Sequence, residues 1–341
     1  MSDAPLVSVV VVAYRQREAL RECLQALARA EQELAASPAA SGRSEGSPAA
    51  ELIVVDNGEL GELVLAARPD ARLISSASNI GFAAGAQRGI EAARGEWVAL
   101  VNDDATVAPD ALVRLLAAGR AAPQIGSVAA QIRFHAHPQT INSAGILVDS
   151  LGVASERLAG RPVAEAAEGA EVFGASGCVA LYNARMLEQL GGLDGRFFAY
   201  QEDVDLAWRA RATGWSAVYE PRAVAHHRGS ASTGEGSRTK YRLVGRNRMW
   251  LLARNATTRQ LLSRLPAIVL YDLAYVLYVA LSDRTAAPLW GRLEGLRSWR
   301  AMRAERGGMR AEVRLAPARS GWLGALRQHL AYRDAGRGGV S

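Results

Sequence analysis

Residues 7–12 form a nearly unbroken valine block, the pattern of a strand buried on both faces as in a parallel sheet. Polar Tyr14-Arg15-Gln16 follows, and then Leu20, Leu24 and Leu27 recur at helical spacing within a helix predicted over 17–34. A Ser/Pro/Gly/Ala-rich stretch over 36–50 reads as a surface loop. Short apolar runs over 52–55, 72–75 and 97–101 are predicted strands, with a helix from about 82 to 94 and another that Pro109 opens in its first turn. Strand and helix patterns therefore alternate through the first 120 residues, which predicts a doubly wound α/β layer.

The middle of the chain is less regular. Residues 128–134 and 146–148 look strand-like, and 172–182 reads as one strand interrupted by Gly174 and Gly177. A helix over 185–190, a second running to Thr213, and strand-like 217–219 ahead of Pro221 and His226-His227 complete this part.

Ligands of such sheets sit at the carboxyl ends of the strands. Three predicted strands end in polar clusters there: Tyr14-Arg15-Gln16, Asp56-Asn57-Gly58 and Asn102-Asp103-Asp104, and Asn79 follows the remaining one closely. Carboxylates at a strand end can hold a hard divalent cation beside a diphosphate, or they can cap a helix. Glu202-Asp203-Val204-Asp205 places three carboxylates at a helix start, where the helix dipole favours anions. Asp205 and Arg209 are spaced to pair on the helix surface, which leaves Glu202 and Asp203 for chemistry, with a general base among the roles open to them. Two adjacent histidines on a strand point to opposite faces, so only one of His226 and His227 reaches any site.

Charge divides the chain unevenly. Its 341 residues carry a net +6, but residues 1–237 sum to −8 and residues 238–341 to +14. The composition is that of a globular protein and excludes a collagen-like or mostly disordered chain. Two cysteines, Cys23 and Cys178, cannot form a disulfide framework and read as buried free thiols. The start of the chain lacks the pattern of a signal peptide, and the expected location of the body is cytoplasmic. In the basic part, residues 266–281 are apolar apart from Asp272 and include Tyr271, Tyr275 and Tyr278. At 16 residues this run is short for a bilayer span, and its tyrosines suit an interfacial or a packed helix. Arginines interleaved with Trp290, Trp299 and Trp322 suit an anionic membrane surface, and no nucleic-acid-binding motif accompanies them.

Taken in order, the strand before Ala13-Tyr14, Val54-Val55-Asp56-Asn57, Asn79-Ile80-Gly81-Phe82, Leu100-Val101-Asn102-Asp103-Asp104, Phe198-Ala199-Tyr200-Gln201-Glu202-Asp203-Val204-Asp205-Leu206 and a late His227 resemble the family 2 glycosyltransferases. Within them the chain is most similar to the branch of bacterial rhamnosyltransferases that build polysaccharides on lipid carriers. The resemblance spans about 7–250. It implies an α/β GT-A fold, with a mostly parallel central sheet flanked by helices, as a catalytic domain over 1–237 and a basic helical extension over 238–341 that meets the membrane. It further implies inverting transfer from a nucleotide-sugar donor, with dTDP-rhamnose as the branch-level expectation, to a glycan or polyprenyl-linked acceptor, peripherally on the inner face of the cell membrane. Carried over residue by residue, Ala13, Tyr14, Asp56, Asn79, Gly81, Asn102 and Asp103 line the nucleotide-sugar site. Asp104 and His227, with His226 as the fallback, hold Mg or Mn; Asp203 is the catalytic base and Glu202 its acceptor-side neighbour. Arg15 departs from the family's frequent Asn after the aromatic, Ala86-Gln87 replaces its usual amide pair, and Asp103 stands where the branch often has proline. A silent sugar-binding module and a metal-dependent nucleotidyltransferase are the alternatives. The second would carry a glycine-rich phosphate loop after the first strand, and 13–16 contains no glycine.

Overall fold

The valine block does become a central strand. A computed structural model of the chain describes residues 4–41, 48–229, 237–308 and 312–318. Its first half runs Val7–Ala13 (β1), Arg17–Ala36 (α1), Ala50–Asp56 (β2), Gly61–Ala67 (α2), Arg72–Ser75 (β3), Gly81–Ala92 (α3) and Trp97–Asn102 (β4). Next come Ala105–Val107 (β5), Ala111–Gly119 (α4), Ile125–Phe134 (β6), Ile141–Ser143 (β7), Ile146–Val148 (β8), Ala154–Glu156 (β9) and Ala170–Val172 (β10). Val179–Asn183 (β11), Ala184–Leu190 (α5), Glu202–Ala212 (α6) and Ser216–His227 (β12) follow. The helices Arg238–Asn255 (α7), Thr258–Ser282 (α8), Ala287–Arg297 (α9) and Trp299–Ala304 (α10) close the described chain, whose basic stretch around Trp322 lies outside the described residues.

The main sheet has the order β10-β12-β6-β11-β4-β1-β2-β3, with β5 on β12 and β7 on β6. Its N-terminal half, β3-β2-β1-β4, is wholly parallel. Beyond β4 the strand β11 enters antiparallel to both neighbours, so the parallel character is confined to one half plus the β6–β12 pair. One face is covered by the apolar sides of α1 and α4, with Leu20, Leu24, Leu27, Leu112, Leu115 and Leu116 buried; the other packs Ala86, Met186 and Leu206. Burial on both faces explains why β1 alternates so little.

Several elements depart from the sequence pattern. The expected strand over 172–182 is two strands, β10 at the sheet edge and β11 inside it, because Phe173 and Gly174 between them bond to Ile146 of β8 and not to the main sheet. Pro109 lies two residues before α4, whose N-cap is Asp110, so it shapes the turn and not the helix. The apolar run over 266–281 is the end of the 25-residue α8, which is long and apolar enough, by length and composition, to cross a membrane. The capping box of Thr257 and Gln260 starts that helix eight residues before Pro266.

One apolar cluster contains residues from both sides of position 237: Phe197, Val204 and Trp208 pack with Met249, Leu251, Leu252, Ile268 and Met302. Polar contacts tighten this joint. Asp205 and Arg209 do pair, at 2.8 Å, but deep in the protein instead of on a helix surface, because Arg254 and Asn255 of α7 also bind Asp205. Fully buried Asn247 donates through Nδ2 to the carbonyls of Phe197, Ala199 and Tyr200 at 3.1, 2.9 and 2.7 Å. Those carbonyls belong to a loop in which Phe198, Tyr200 and Gln201 all have positive φ, a conformation that costs non-glycine residues about 1–3 kcal/mol each. Asn247→Ala is expected to lower stability by about 2–4 kcal/mol, because buried carbonyls lose their donor. Urea unfolding measures it, and a loss below ~0.5 kcal/mol would show that the loop holds its own shape.

Candidate active site

Parallel register brings the polar strand ends together: Ala13 lies beside Asp56, and Val12 beside Asn102. The β5–β12 pairing sets His227 opposite Ala105, hence next to Asp104. These ends open into a cavity of about 580 Å3, lined by Tyr14, Asn79, Gly81, Asn102, Asp103, Asp104, Glu202, Asp203 and His227 among others. Residues that are separated by up to 213 positions therefore share one chamber.

The details are specific. Asp103 Oδ2 accepts from the Tyr14 N–H at 2.7 Å, which ties the ends of β1 and β4 together. His227 Nε2 lies 3.2 Å from Asp104 Oδ1, and its Nδ1 lies 3.2 Å from Asn142 Oδ1. Of the two histidines, His227 faces the cavity, while His226 turns towards Arg133 and His135. Asn79 Oδ1 accepts from the Gly81 N–H at 2.8 Å. Gly81 has φ +84°, and a Cβ there would come within 2.4 Å of the Phe198 carbonyl, so the close approach of α3 to the loop before Asp203 requires glycine. Asp203 sits in the first turn of α6, with Oδ2 accepting from Gly177 N–H and Oδ1 from Val204 N–H, each at 2.8 Å. Arg15 has φ +61°, a left-handed position that asparagine tolerates well, and its guanidinium lies over the Tyr14 ring.

Ala13 and Asp56 are not part of the lining. Asp56 accepts from Gly58 N–H and Leu60 N–H at 2.9 and 2.8 Å, so its carboxylate orders the turn after β2, and any contact with a ligand uses the lone pairs left over. Conversely, the cavity contains groups that no motif announced. Glu156, at the end of the short β8–β9 hairpin, is held by Ser143 and Ser176 at 2.5 and 3.1 Å and faces Asp203. The tyrosines of α8 also line it, at positions 271, 275 and 278, together with Ala274 and Val279. Their 3–4-residue spacing was visible in the sequence, but a packed or interfacial helix gives the same pattern. Cys23 and Cys178 are free and buried, as expected.

Five carboxylates in one chamber strain its electrostatics. Burial pushes Asp103 up to about 7, with the charge of Asp104 adding to this and the Tyr14 N–H opposing it. Asp104 goes the other way: burial opposes its charge, yet the His227 imidazole beside it holds the carboxyl below the usual range. Burial also pushes Glu156 up to about 7 and Glu202 up to about 8, in both cases with a contribution from Asp203, which burial raises too. Of the adjacent pair at the end of β4, Asp104 is thus favoured as the anion. Among the described residues no three His, Cys, Asp or Glu side chains form a ready metal cage. Asp104 and His227 are the residues that would hold a hard cation, with an oxygen and a nitrogen donor, and the buried, unpartnered Asn102 side-chain oxygen leaves an acceptor for a ligand's donor group.

The strand order and the mixed sheet flanked by helices are those of a GT-A fold. The chain belongs to glycosyl transferase family 2, whose profile matches residues 8–191. It is 28% identical over 218 residues to the N-acetylglucosaminyl-diphospho-decaprenol L-rhamnosyltransferase of Mycobacterium tuberculosis, a match that covers 54% of this chain and 68% of that protein. The fold is similar to that of GalNAc-T7 with UDP, GalNAc and Mn2+ (TM-score 0.52, 14% identity, 74% of this chain and about half, 51%, of that one). A mannosyltransferase from Pyrobaculum calidifontis in complex with GDP-Man and Mn2+ is likewise similar (TM-score 0.50, 16% identity, 89% and 84%). Family membership sets the nucleotidyltransferase alternative aside.

The buried Glu202 gives the protein a pH signature. Folded, it keeps its proton to about pH 8, whereas a free glutamate releases it near 4.5. The folded state therefore binds more protons between these values, and stability falls as pH rises through that window, by up to ~1.4 kcal/mol per unit. Glu202→Gln is expected to flatten the dependence, read from urea unfolding at pH 5 to 8 in chelator-treated buffer. Parallel profiles for the two proteins would refute the assignment.

Proposed function

We propose that this protein transfers a sugar, with inversion at the anomeric carbon, from a nucleotide-diphosphate donor to a hydroxyl of a polyprenyl-linked glycan. The observation that carries this reading is the placement of Asp203, rigidly held in the first turn of α6, in the same cavity as Asp104 and His227. A single positioned carboxylate is what an inverting transfer needs, in contrast to the nucleophile-and-acid pair of a retaining glycosidase. Two backbone N–H groups fix the Asp203 side chain, so its carboxylate meets the acceptor hydroxyl without reorganising. The proton of that hydroxyl passes to Asp203 as its oxygen attacks the anomeric carbon from the face opposite the leaving diphosphate.

Tyr14, Asn79, Gly81, Asn102 and Asp103 form the donor wall in this reading, with Ala13 and Asp56 shaping it from behind. Glu202 stands on the acceptor side. Asp104 and His227 hold Mg or Mn, which when bound offsets the charge of the departing diphosphate. Support for the donor and acceptor classes comes from the rhamnosyltransferase likeness, whose branch makes dTDP-rhamnose the donor to test first.

The same likeness, with a lipid-linked acceptor in that relative's name, favours work at the inner membrane surface. Leu262, Leu265, Leu270, Leu273, Leu277 and Leu281 of α8 are all exposed, an apolar face that water alone does not stabilise. Arg259 and Arg264 stand at its start.

Two measurements test this reading. Asp203→Asn is expected to cut sugar transfer about a thousandfold while leaving nucleotide-sugar affinity within twofold, and EDTA is expected to stop turnover. Release of nucleoside diphosphate with a polyprenyl-linked acceptor is the assay; near-normal turnover of the variant would move the base elsewhere. Replacing Leu270, Leu273 and Leu277 together by Glu is expected to abolish co-sedimentation with anionic vesicles, and undiminished binding would show that α8 is not the membrane contact.

A further inference from the structure

The cavity lining divides into a carboxyl-rich part and a cationic part. Its strand-end half carries Asp103, Asp104, Glu156, Glu202 and Asp203, whereas the lining contributed by α7, α8 and α9 includes Lys240, Arg248 and Arg292 and no carboxylate. Arg248 and Arg292 are both buried, and both bind one oxygen of a single carboxylate, Asp272 Oδ1, at 2.7 Å. Asp272 is shared between the two guanidiniums, and the buried Asp149 carboxylate is a further counter-charge near Arg248, so the two arginines are held in place while still lining the cavity. The guanidiniums are also set as platforms: Arg248 lies over the Tyr271 ring at 4.8 Å and Arg292 over the Tyr275 ring at 5.0 Å, and those rings stack on each other at 6.2 Å. An Arg–Asp–Arg cluster with a purely structural task would bury itself behind the wall, but here both arginines form the wall.

Helix α8 connects this charge to the apolar surface. The positions 271, 274, 275, 278 and 279 face the cavity, and the exposed leucines lie on the opposite side of the same helix. Tyr278 belongs to the lining and is still 40% exposed, so it marks where the chamber meets the outside, next to exposed Leu277 and Leu281. A ligand that spans from Asp203 to this opening thus needs a hydroxyl at one end, an anionic group in the middle and an apolar group where it leaves.

Resting on the transferase reading above, we propose that Arg248, Arg292 and Lys240 bind the diphosphate of a lipid-linked acceptor, whose hydrocarbon chain exits past Tyr278 along the leucine face of α8. The donor's diphosphate belongs to the other end, with Asp104 and His227. Each guanidinium has five N–H donors, of which Asp272 and the carbonyls of Leu151, Gly152 and Pro288 take only part; the others suit phosphate oxygens, and the tyrosines beneath hold each group in place.

Binding of farnesyl diphosphate to the full-length protein in EDTA tests the assignment, because chelation removes any metal-held diphosphate at the strand ends. Calorimetry is expected to show that farnesyl diphosphate binds at least tenfold more tightly than farnesol or inorganic pyrophosphate. Arg292→Gln should weaken it at least tenfold, Arg292→Lys should restore part of the loss, and Lys240→Gln, at a half-buried position, should weaken it several-fold with the fold intact by circular dichroism. Unchanged affinity in folded Arg292→Gln and Lys240→Gln proteins would overturn the proposal, as would displacement of farnesyl diphosphate by a nucleoside diphosphate, which would make this chamber part of the donor site. Pyrophosphate binding as tightly as the lipid would overturn the lipid exit. A wild-type protein that binds farnesyl diphosphate in this way yet transfers no sugar would instead refute the transferase reading and leave the site standing.

Discussion

The loop from Phe197 to Gln201 cannot keep its shape by itself. Three of its residues adopt left-handed backbone conformations without being glycine, and together they turn the chain so that α6 starts with Glu202 and Asp203 inside the cavity. What offsets that strain comes from elsewhere in the chain. Asn247 binds three carbonyls from one side, and Gly81 allows α3 to approach from the other, where Ala83 N–H reaches the Phe198 carbonyl at 2.9 Å. Below the loop, buried Asp205 fastens α6 to α7 through Arg254 and Asn255. The placement of Asp203 therefore depends on α7, and the C-terminal helices are part of the scaffold that positions it.

A second constraint is electrostatic. Parallel strands deliver their polar ends to one edge, and β12 adds His227 from far along the chain. Neighbouring Asp103 and Asp104 then separate in character, one favoured as an acid by burial and its like-charged neighbour, the other kept ionised by an imidazole. Opposite shifts in adjacent carboxyls assign different tasks to them: Asp104 is suited to hold a cation, and Asp103 joins β1 to β4 through Tyr14.

Much of this was legible in the sequence because strand ends are local. Apolar runs mark β1, β2 and β4, and the polar residues after them can be only at the carboxyl edge of the sheet. Where partners are remote, the sequence is silent. The Asp205–Arg209 spacing predicts the pair, yet only Arg254 and Asn255, about fifty positions later, make it buried. Glu156 lies on a three-residue strand with no periodicity to read. For the tyrosines of α8, spacing fixes that they share a face but not what that face meets. Glycines over 172–182 read as interruptions of one strand, since nothing local says that the two pieces pair with different neighbours.

Net charge also takes on a different sense in three dimensions. The +14 of residues 238–341 suggests a surface that attracts anionic lipid. Yet Arg246, Arg248, Arg254, Arg292 and Arg303 turn inward, onto the carbonyls of the Phe197 loop, onto Asp272, onto Asp194 and Asp205, and onto the carbonyls that end α7. Arg246, Arg248 and Arg254 join the acidic body to the helices through Phe197, Leu151, Gly152, Asp194 and Asp205, while Arg248 and Arg292 also line the cavity. Among the described residues, Arg259, Arg264, Arg284, Arg297 and Arg300 stay exposed, on α8 and on the segments that follow it, along with the leucines of α8. Under the membrane reading proposed above, such a surface would draw its affinity mainly from buried hydrocarbon and only secondarily from charge, and would stay bound in salt that releases a purely basic tail.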